Sequence, residues 1–488
     1  MNWLDRAIAS VSPRAGLRRA TARGALQALA HYNAASVSRR SSGVRAVSGD
    51  ADAVAQGVRR RIMLSVRDVV RNNPTAKRAV QVLVNNIIGT GIEPKLVSDD
   101  ERLKEAWKSR AAELDSVAFD VLGASTLAGI QRLAVETMVT DGEALILWPD
   151  DARSGGQCQV RVLESEYLND SLQGRADIDG HVVYDGIEYD QAGRVVAYYL
   201  YDEHPDSAVW LGPLRGVEYT RVDASRVIHL YRMDRPDQRR GVSWFAPVLD
   251  DLVALADNDE AQLMRQKIAA CFAAFWRSEK APENAGVPKT LSPGLIQQIG
   301  ADDEVTFASP PDVTGYDDFA RIHLRRIAAG LGITYEALTG DLSNVNYSSA
   351  RIGRIEMSQG VESIQWTLVM PRLCAPLAKW ILQGWAHAEP ALVSALCLAR
   401  LDWTPPPPVI ADPKTETQVS VQRIEAGLSS RHGEIRRMGY EPGAIDAEIT
   451  ADTEMRRSLT ELKSAPKAGP TVEQAAETLI EERNLDAA

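Results

Sequence analysis

The sequence predicts an α+β fold, and three features carry that prediction. Apolar residues recur at helical spacing over residues 51–140 and again over 316–383. Between residues 143 and 231 the apolar period drops to two, the spacing of half-buried strands. At the centre of the chain two long helical patterns flank a short Pro- and Gly-rich stretch.

The elements follow in order. Residues 1–50 are rich in Arg, Ser and Ala with weak periodicity, and read as an arm holding one short helix. From Ala51 a helix carries Val54, Val58, Met63, Val66 and Val70 on one side. Asn73 then suits an N-cap and Pro74 a first helical position, opening a helix with Ala79, Val80, Leu83, Val84 and Ile87 that stops at Gly89. Two more helices are predicted near 99–114 and 125–140, the second capped by Ser125. Strands are predicted at Glu143–Trp148, Gln159–Leu163, His181–Tyr189, Arg194–Tyr201 and Arg226–Tyr231, with Asp190–Gly193 as a hairpin turn.

Pro247 opens a long helix that can run to Trp276. Its acids (Asp250, Asp251, Asp257, Asp259, Glu260) come first and its bases (Arg265, Lys267, Arg277) last, the order that suits a helix dipole. Residues 278–312 read as a small inserted module with one strand-like run, Glu304–Phe307. Helical pattern returns at Tyr316–Gly330, with Ala320, Leu324, Ile327 and Leu331 on one face and Asp317, Arg321 and Arg325 four residues apart on another. A polar loop, 340–349, leads to a helix from Ala350 that must bend at Pro371 and Pro376. Trp403–Pro408 reads as a rigid linker, 413–458 as short helices, and the polar tail after Leu462 as disordered.

Charge narrows the function classes. The chain holds 55 Lys plus Arg against 66 Asp plus Glu, a net charge of −11, which argues against a surface that grips nucleic acid throughout. Residues 1–80 hold 15 Lys or Arg and 4 Asp or Glu, so a basic arm sits on an acidic body; a solvated arm with no partner is the alternative. No apolar run has the length of a membrane span, and the first twenty residues lack a secretory signal's apolar segment, so a soluble protein retained in the producing cell is expected. Cys158, Cys271, Cys374 and Cys397 stand far apart, with Cys271 and Cys374 expected as buried free thiols.

Catalytic patterns are missing: there is no GxxxxGK[ST] loop, no HExxH, no GxSxG and no Cys/His cluster at zinc spacing. His229 lies in an apolar strand and is expected as a satisfied core histidine. Asp141-Gly142-Glu143 and Glu164-Ser165-Glu166 could supply acid/base pairs, but at strand ends they are expected as solvated acids. Trp244, Trp276, Trp366, Trp380 and Trp385 are expected in core or interface packing. No catalytic residue, cofactor or metal is predicted.

Several segments together resemble the portal proteins of lambda-type tailed bacteriophages, the head-to-tail connector family. They are Arg67–Val80 with Asn85–Ile92, Asp141–Leu145, Gly186–Asp190, His229–Arg232 leading to Arg239–Pro247, and Gly332–Asp341 followed by Asn344–Arg351. Their order and spacing extend over roughly residues 50–440, without the arm or the last fifty residues.

The resemblance implies a closed ring of about twelve subunits at one capsid vertex, conducting double-stranded DNA in packaging and ejection. It implies a basic arm at 1–50, a wing at 51–246, a stem helix at 247–277, a clip at 278–312 and a second stem helix at 313–339. A channel loop at 340–349 would follow, then a long kinked wing helix at 350–383, a crown at 384–460 and a tail at 461–488. Asp341, Ser343, Asn344, Asn346, Tyr347 and Ser348 would face DNA; Asp317, Arg321 and Arg325 are candidates for pairing between subunits in the stem. Implied partners are the terminase large subunit, the major capsid protein, head–tail adaptors and non-specifically bound DNA, with no membrane. The implied location is the virion, with assembly in the host cytoplasm. The rival readings are another head-completion or adaptor protein, a DNA-processing enzyme, and a sequence-specific DNA binder built on the arm.

Overall fold

Asn73 shows how closely local chemistry sets the element boundaries. Its Oδ1 accepts hydrogen bonds from the backbone N–H groups of Thr75 (2.9 Å) and Ala76 (3.2 Å), and Pro74 follows at the first helical position. The structure, a computed structural model, describes residues 49–149, 158–176, 178, 180–207, 218–270, 274–277, 304–307, 315–343, 346–406, 413–438 and 442–464. The basic arm, most of 278–312 and the tail after 464 lie outside them.

The chain divides into two units. The smaller comprises residues up to Arg60 together with Met233–Arg239. Its helix α1 (Ala51–Ala55) is capped by Asp50, and the buried Asp52 accepts the backbone N–H of Arg239 at 2.9 Å. Arg235 donates to the Gly49 carbonyl at 3.2 Å.

The larger unit holds the rest. The single helix expected from Ala51 is two: α1 ends before Gly57, and α2 runs Arg59–Asn72. Glycine at the break carries the entropic cost that disfavours helix there. Met63, Val66 and Val70 are buried as predicted, whereas Val54 and Val58 are exposed. Next come α3 (Pro74–Ile87), β1 (Glu93–Val97), α4 (Glu101–Leu114) and α5 (Leu127–Asp141). Thr126, not Ser125, caps α5, because Leu127 must enter the helix to reach the core. The sheet strands are β2 (Glu143–Leu147), β3 (Arg161–Leu163), β4 (Gly174–Arg175), β5 (Val182–Tyr184), β6 (Ile187–Tyr189), β7 (Val195–Tyr201), β8 (Tyr219–Asp223) and β9 (Val227–Tyr231). The single strand expected at His181–Tyr189 is a hairpin. Asp185 (φ 49°) and Gly186 (φ 73°) turn it, the left-handed pair that a tight turn requires.

Further along are α6 (Leu249–Ala270), β10 (Ala274–Arg277), β11 (Glu304–Phe307), α7 (Tyr316–Leu331), α8 (Tyr335–Thr339) and α9 (Tyr347–Ile364). Then come α10 (Ala375–Ala388), β12 (Arg400–Thr404), α11 (Pro413–Glu425), α12 (Arg431–Arg437) and α13 (Pro442–Ser464). The helix from Leu249 stops at Ala270, and Trp276 lies instead in β10, paired with Val305 of β11. Gly332 (φ 69°) ends α7, so the second helical segment is broken before α8. Between α9 and α10 the backbone widens into a π-helix, Gln365–Cys374, which absorbs Pro371 without a break. Trp403 and Thr404 are strand, not linker: β12 pairs antiparallel with β1 across more than three hundred residues.

Every ladder between these strands is antiparallel, in sheets ordered β3-β2-β9, β4-β5-β6-β7-β8, β1-β12 and β10-β11. The architecture is α+β, as the periodicities predict. The main core joins α3 and α5 to β2 and β9, Phe245, Leu252, α7, the π-helix and α10. A second core (Leu145, Leu163, Ile187, Tyr198, Leu200) lies between the three- and five-stranded sheets. Cys374 is buried, its thiol pushed up to about 12, and Cys271 lies outside the described residues. Trp244, Trp380 and Trp385 pack in the interior, but Trp366 is exposed. No described helix is long and apolar enough to cross a membrane.

Candidate functional site

The site runs from the α6–α7 pair through α8 to the start of α9. The main core buries Leu252 and Leu255 of α6 with Ile327, Ala328 and Leu331 of α7. Polar contacts fix the antiparallel register of these two helices. His323 Nδ1 lies 2.9 Å from Asp251, Arg326 lies 3.2 Å from Asp251, and Tyr316 donates to Asp259 at 2.7 Å.

Two left-handed glycines frame the short helix that follows. Gly332 closes α7, Thr334 caps α8 through the Ala337 amide (3.1 Å), and Gly340 (φ 73°) closes α8. Asp341 then organises the predicted loop. Its Oδ1 accepts from the Ser343 amide (3.0 Å) and hydroxyl (2.5 Å), and its Oδ2 from Tyr335 (3.2 Å). The Ser343 hydrogen bonds hold the Asp341 carboxyl below its ordinary range, so the loop carries a fixed negative charge. Asp341 therefore caps its own turn and does not pair with Arg351. Leu342 is exposed, and Asn344 lies outside the described residues.

Asn346 is an N-cap rather than a free loop side chain: its Oδ1 accepts the Ser349 amide at 2.8 Å. Helix α9 starts at Tyr347, and Ser348 is exposed on its first turn, so the loop is shorter than its sequence suggested. Arg351 and Arg354 follow on the next turn and form no ion pair among the described residues. Of the stem candidates, Arg321 lies 3.8 Å from Asp318, not Asp317, and Arg325 stacks 5.6 Å from the Tyr335 ring. Asp317 is exposed at the start of α7.

A second polar centre contradicts the expectation of solvated acids at 141 and 143. Both side chains are buried. Glu143 binds Arg240 (2.5 and 2.9 Å), the Gly241 amide (2.9 Å) and His229 Nε2 (2.9 Å). Burial pushes its carboxyl up, but Arg240 and the His229 hydrogen bond outweigh that and hold it well below the carboxylate range. Burial lowers the His229 imidazole, which donates to Glu143 as a neutral ring, the satisfied core histidine expected. The sequence signal was the glycines. A Cβ at Gly142 would stand 2.4 Å from the Val242 carbonyl carbon, and one at Gly241 2.0 Å from the Gly142 oxygen. The two backbones can meet only without side chains, and Glu143 seals the contact.

Beside it, Arg67 bridges Asp141 (2.6 Å), Glu166 (2.6 Å) and Glu164 (3.3 Å). Glu164, Glu166 and His204 have metal-ligand geometry, their donor atoms within 4.8 Å of one another. The Arg67 guanidinium supplies the cation there. His204 Nδ1 accepts the Asp206 amide (3.1 Å), so in the neutral ring Nε2 carries the proton and is not a free ligand lone pair. Neither centre places a nucleophile beside a base, and both join distant segments of the fold.

Comparison with known proteins gives this arrangement a family. A probable portal protein of Halomonas phage phiHAP-1 is 25% identical over 448 residues, covering 84% of this chain and 83% of that one. Portal protein B of Escherichia phage lambda is 23% identical over 494 residues, covering 86% and 88%. Among solved structures, the neck of an empty gene transfer agent particle, computed with C6 symmetry, matches with a TM-score of 0.47 at 16% identity, covering 82% of this chain and 96% of that one. Residues 37–365 match the family described as phage portal protein, lambda family, and the chain belongs to it.

Proposed function

We propose that this portal subunit assembles into a closed ring of about twelve copies, a heterologous assembly, at one vertex of a phage capsid. The ring conducts double-stranded DNA during packaging and ejection. Its role is structural, not enzymatic. The observation that carries the reading is the family match over residues 37–365, which takes in the α6–α7 hairpin, the β10–β11 pair and the loop after α8.

Within that ring, residues 51–246 form the wing, α6 and α7 the stem, and the segment about β10 and β11 the clip. The clip docks the terminase large subunit and later the head–tail adaptors; the wing meets the major capsid protein. The loop from Asp341 to Ser348 faces the channel, with Ser343, Asn344 and Ser348 touching phosphates and Asn346 held in the cap of α9. Asp341 keeps a negative charge there, and a passing duplex of any sequence must not be held. The residues after 384 form a crown, and the basic arm serves assembly or DNA retention. Negative-stain images of the purified chain test the reading. Closed rings with a central hole are expected. A stable monomer at micromolar concentration under all salt conditions overturns it.

A further inference from the structure

Two arginines of α7 act on the loop of their own chain. The backbone reverses at Gly332, and α8 comes back beside α7. Tyr335, on the first turn of α8, has the Arg325 guanidinium over its ring at 5.6 Å, within cation–π range. Arg321 lies one turn earlier on α7, and its charge reaches Asp341, just past the end of α8. The Asp341 carboxyl is held low first by the Ser343 hydrogen bonds, then by Tyr335, and the Arg321 charge adds to them. Going from Arg325 to Arg321 along α7 thus matches going from Tyr335 to Asp341 along the returning chain.

Tyr335 joins the two points. Its hydroxyl donates to Asp341 Oδ2 at 3.2 Å, while Asp341 Oδ1 accepts the Ser343 amide and hydroxyl. One carboxylate oxygen sets the shape of the turn, as in any Asx turn, and the other sets where that turn sits. Packing does not hold it: Leu342 is 66% accessible and Ser343 is exposed. The backbone is fixed as far as Asp341, whose amide donates to Thr339 Oγ1 at 3.1 Å. Helix α8 is a firm base for this contact. Ile333 and Leu338 are buried in the main core, and Arg78 of α3 donates to the Ala337 carbonyl at 3.3 Å. The far end of the loop is held by the Asn346 cap of α9.

We propose that Tyr335 is a positioning residue for the channel loop: clamped by Arg325 and bonded to Asp341, it ties the first turn of the loop to the stem helix of the same subunit. The inference rests on the channel reading above and deepens it. Force on the loop from a passing duplex reaches α7 through two side chains, and the Asp341 carboxylates of the ring keep one height and one distance from the axis.

Tyr335→Phe tests it in the full-length chain, because the ring and its stacking stay and one hydroxyl goes. Amide exchange over residues 341–346, followed by mass spectrometry, should speed up about tenfold, the effect of losing one hydrogen bond to a charged group. Exchange over α7 and the melting temperature should stay at the parent's values. In an Asp341→Ala background the same change should add nothing, because the acceptor is already gone. Packaging of DNA in vitro by Tyr335→Phe rings should lose rate. Unchanged loop exchange overturns the tether, and so does an equal acceleration in the Asp341→Ala background. Faster exchange throughout the chain with a lower melting temperature also overturns it, since Tyr335 would then be an ordinary packing residue. Faster loop exchange with packaging at the parent's rate supports the tether and counts against the channel reading alone.

Discussion

At the scale of single residues, the Glu143–Arg240–His229 centre is the most consequential feature. A buried ion pair is a poor source of net stability, but removing one partner strands the other in a place without water. Arg240→Met should therefore destabilise the fold by about 3–5 kcal/mol. A denaturant titration reads it, and a change below about 1 kcal/mol would show that water reaches Glu143.

The same centre sets a pH response. His229 is held neutral below its ordinary value of 6.5, so its contribution is full above pH 6.5 and declines as pH falls past it. Glu143 is depressed below 4.5, and Glu188 is pushed to about 2, first by its hydrogen bond with Arg221; their contributions are full above pH 4.5 and lost as pH falls through the lower folded values. Asp141 has the opposite sign, since burial raises its carboxyl above 3.8, and it softens the acid loss slightly. The melting temperature should fall gently from pH 7 to 5 and steeply below 4.5. His229→Gln should remove the first stage and keep the second. An unchanged profile in that variant would contradict the assignment.

Element boundaries were legible wherever a local signal stood alone. Asn73-Pro74 and Asp190–Gly193 sit where their chemistry put them. Misreadings came where two signals competed. Ser125 and Thr126 are both good caps, and only burial of Leu127 chooses between them. Asp185-Gly186 was hidden inside an apolar run, and β1 with β12 has no local signature because its partner lies three hundred residues away. Trp276 continued a helical pattern, yet pairing with β11 drew it into a strand. The acids at 141 and 143 looked solvated because a sequence does not show that Arg67 and Arg240 arrive beside them.

The β10–β11 pair also refines what can be removed. Replacing residues 281–300 with a short Gly/Ser linker leaves Ala274–Arg277 and Glu304–Phe307 to close the hairpin. The variant should keep the parent's melting temperature and lose binding to the terminase large subunit in a pull-down. Retained binding would move the docking site off the clip.

At the scale of the whole molecule, an acidic chain with a net charge of −11 suits a conduit, because each cation set against a phosphate adds affinity and slows passage. The loop after α8 follows the same logic: it carries Asp341 and hydroxyls, and Asn346 is spent on capping α9. The family was legible in the order of short motifs; the cap role of Asn346 needed coordinates. The most direct measurement is packaging of DNA in vitro by rings carrying Asn344→Arg and Ser348→Arg, which spare the Asn346 cap. With about twelve copies, roughly two dozen new cations would surround the duplex, each able to displace a condensed counterion. Packaging should slow or arrest at low salt and recover as salt is raised. Packaging indistinguishable from the parent's at both salt concentrations would mean that the loop does not face DNA.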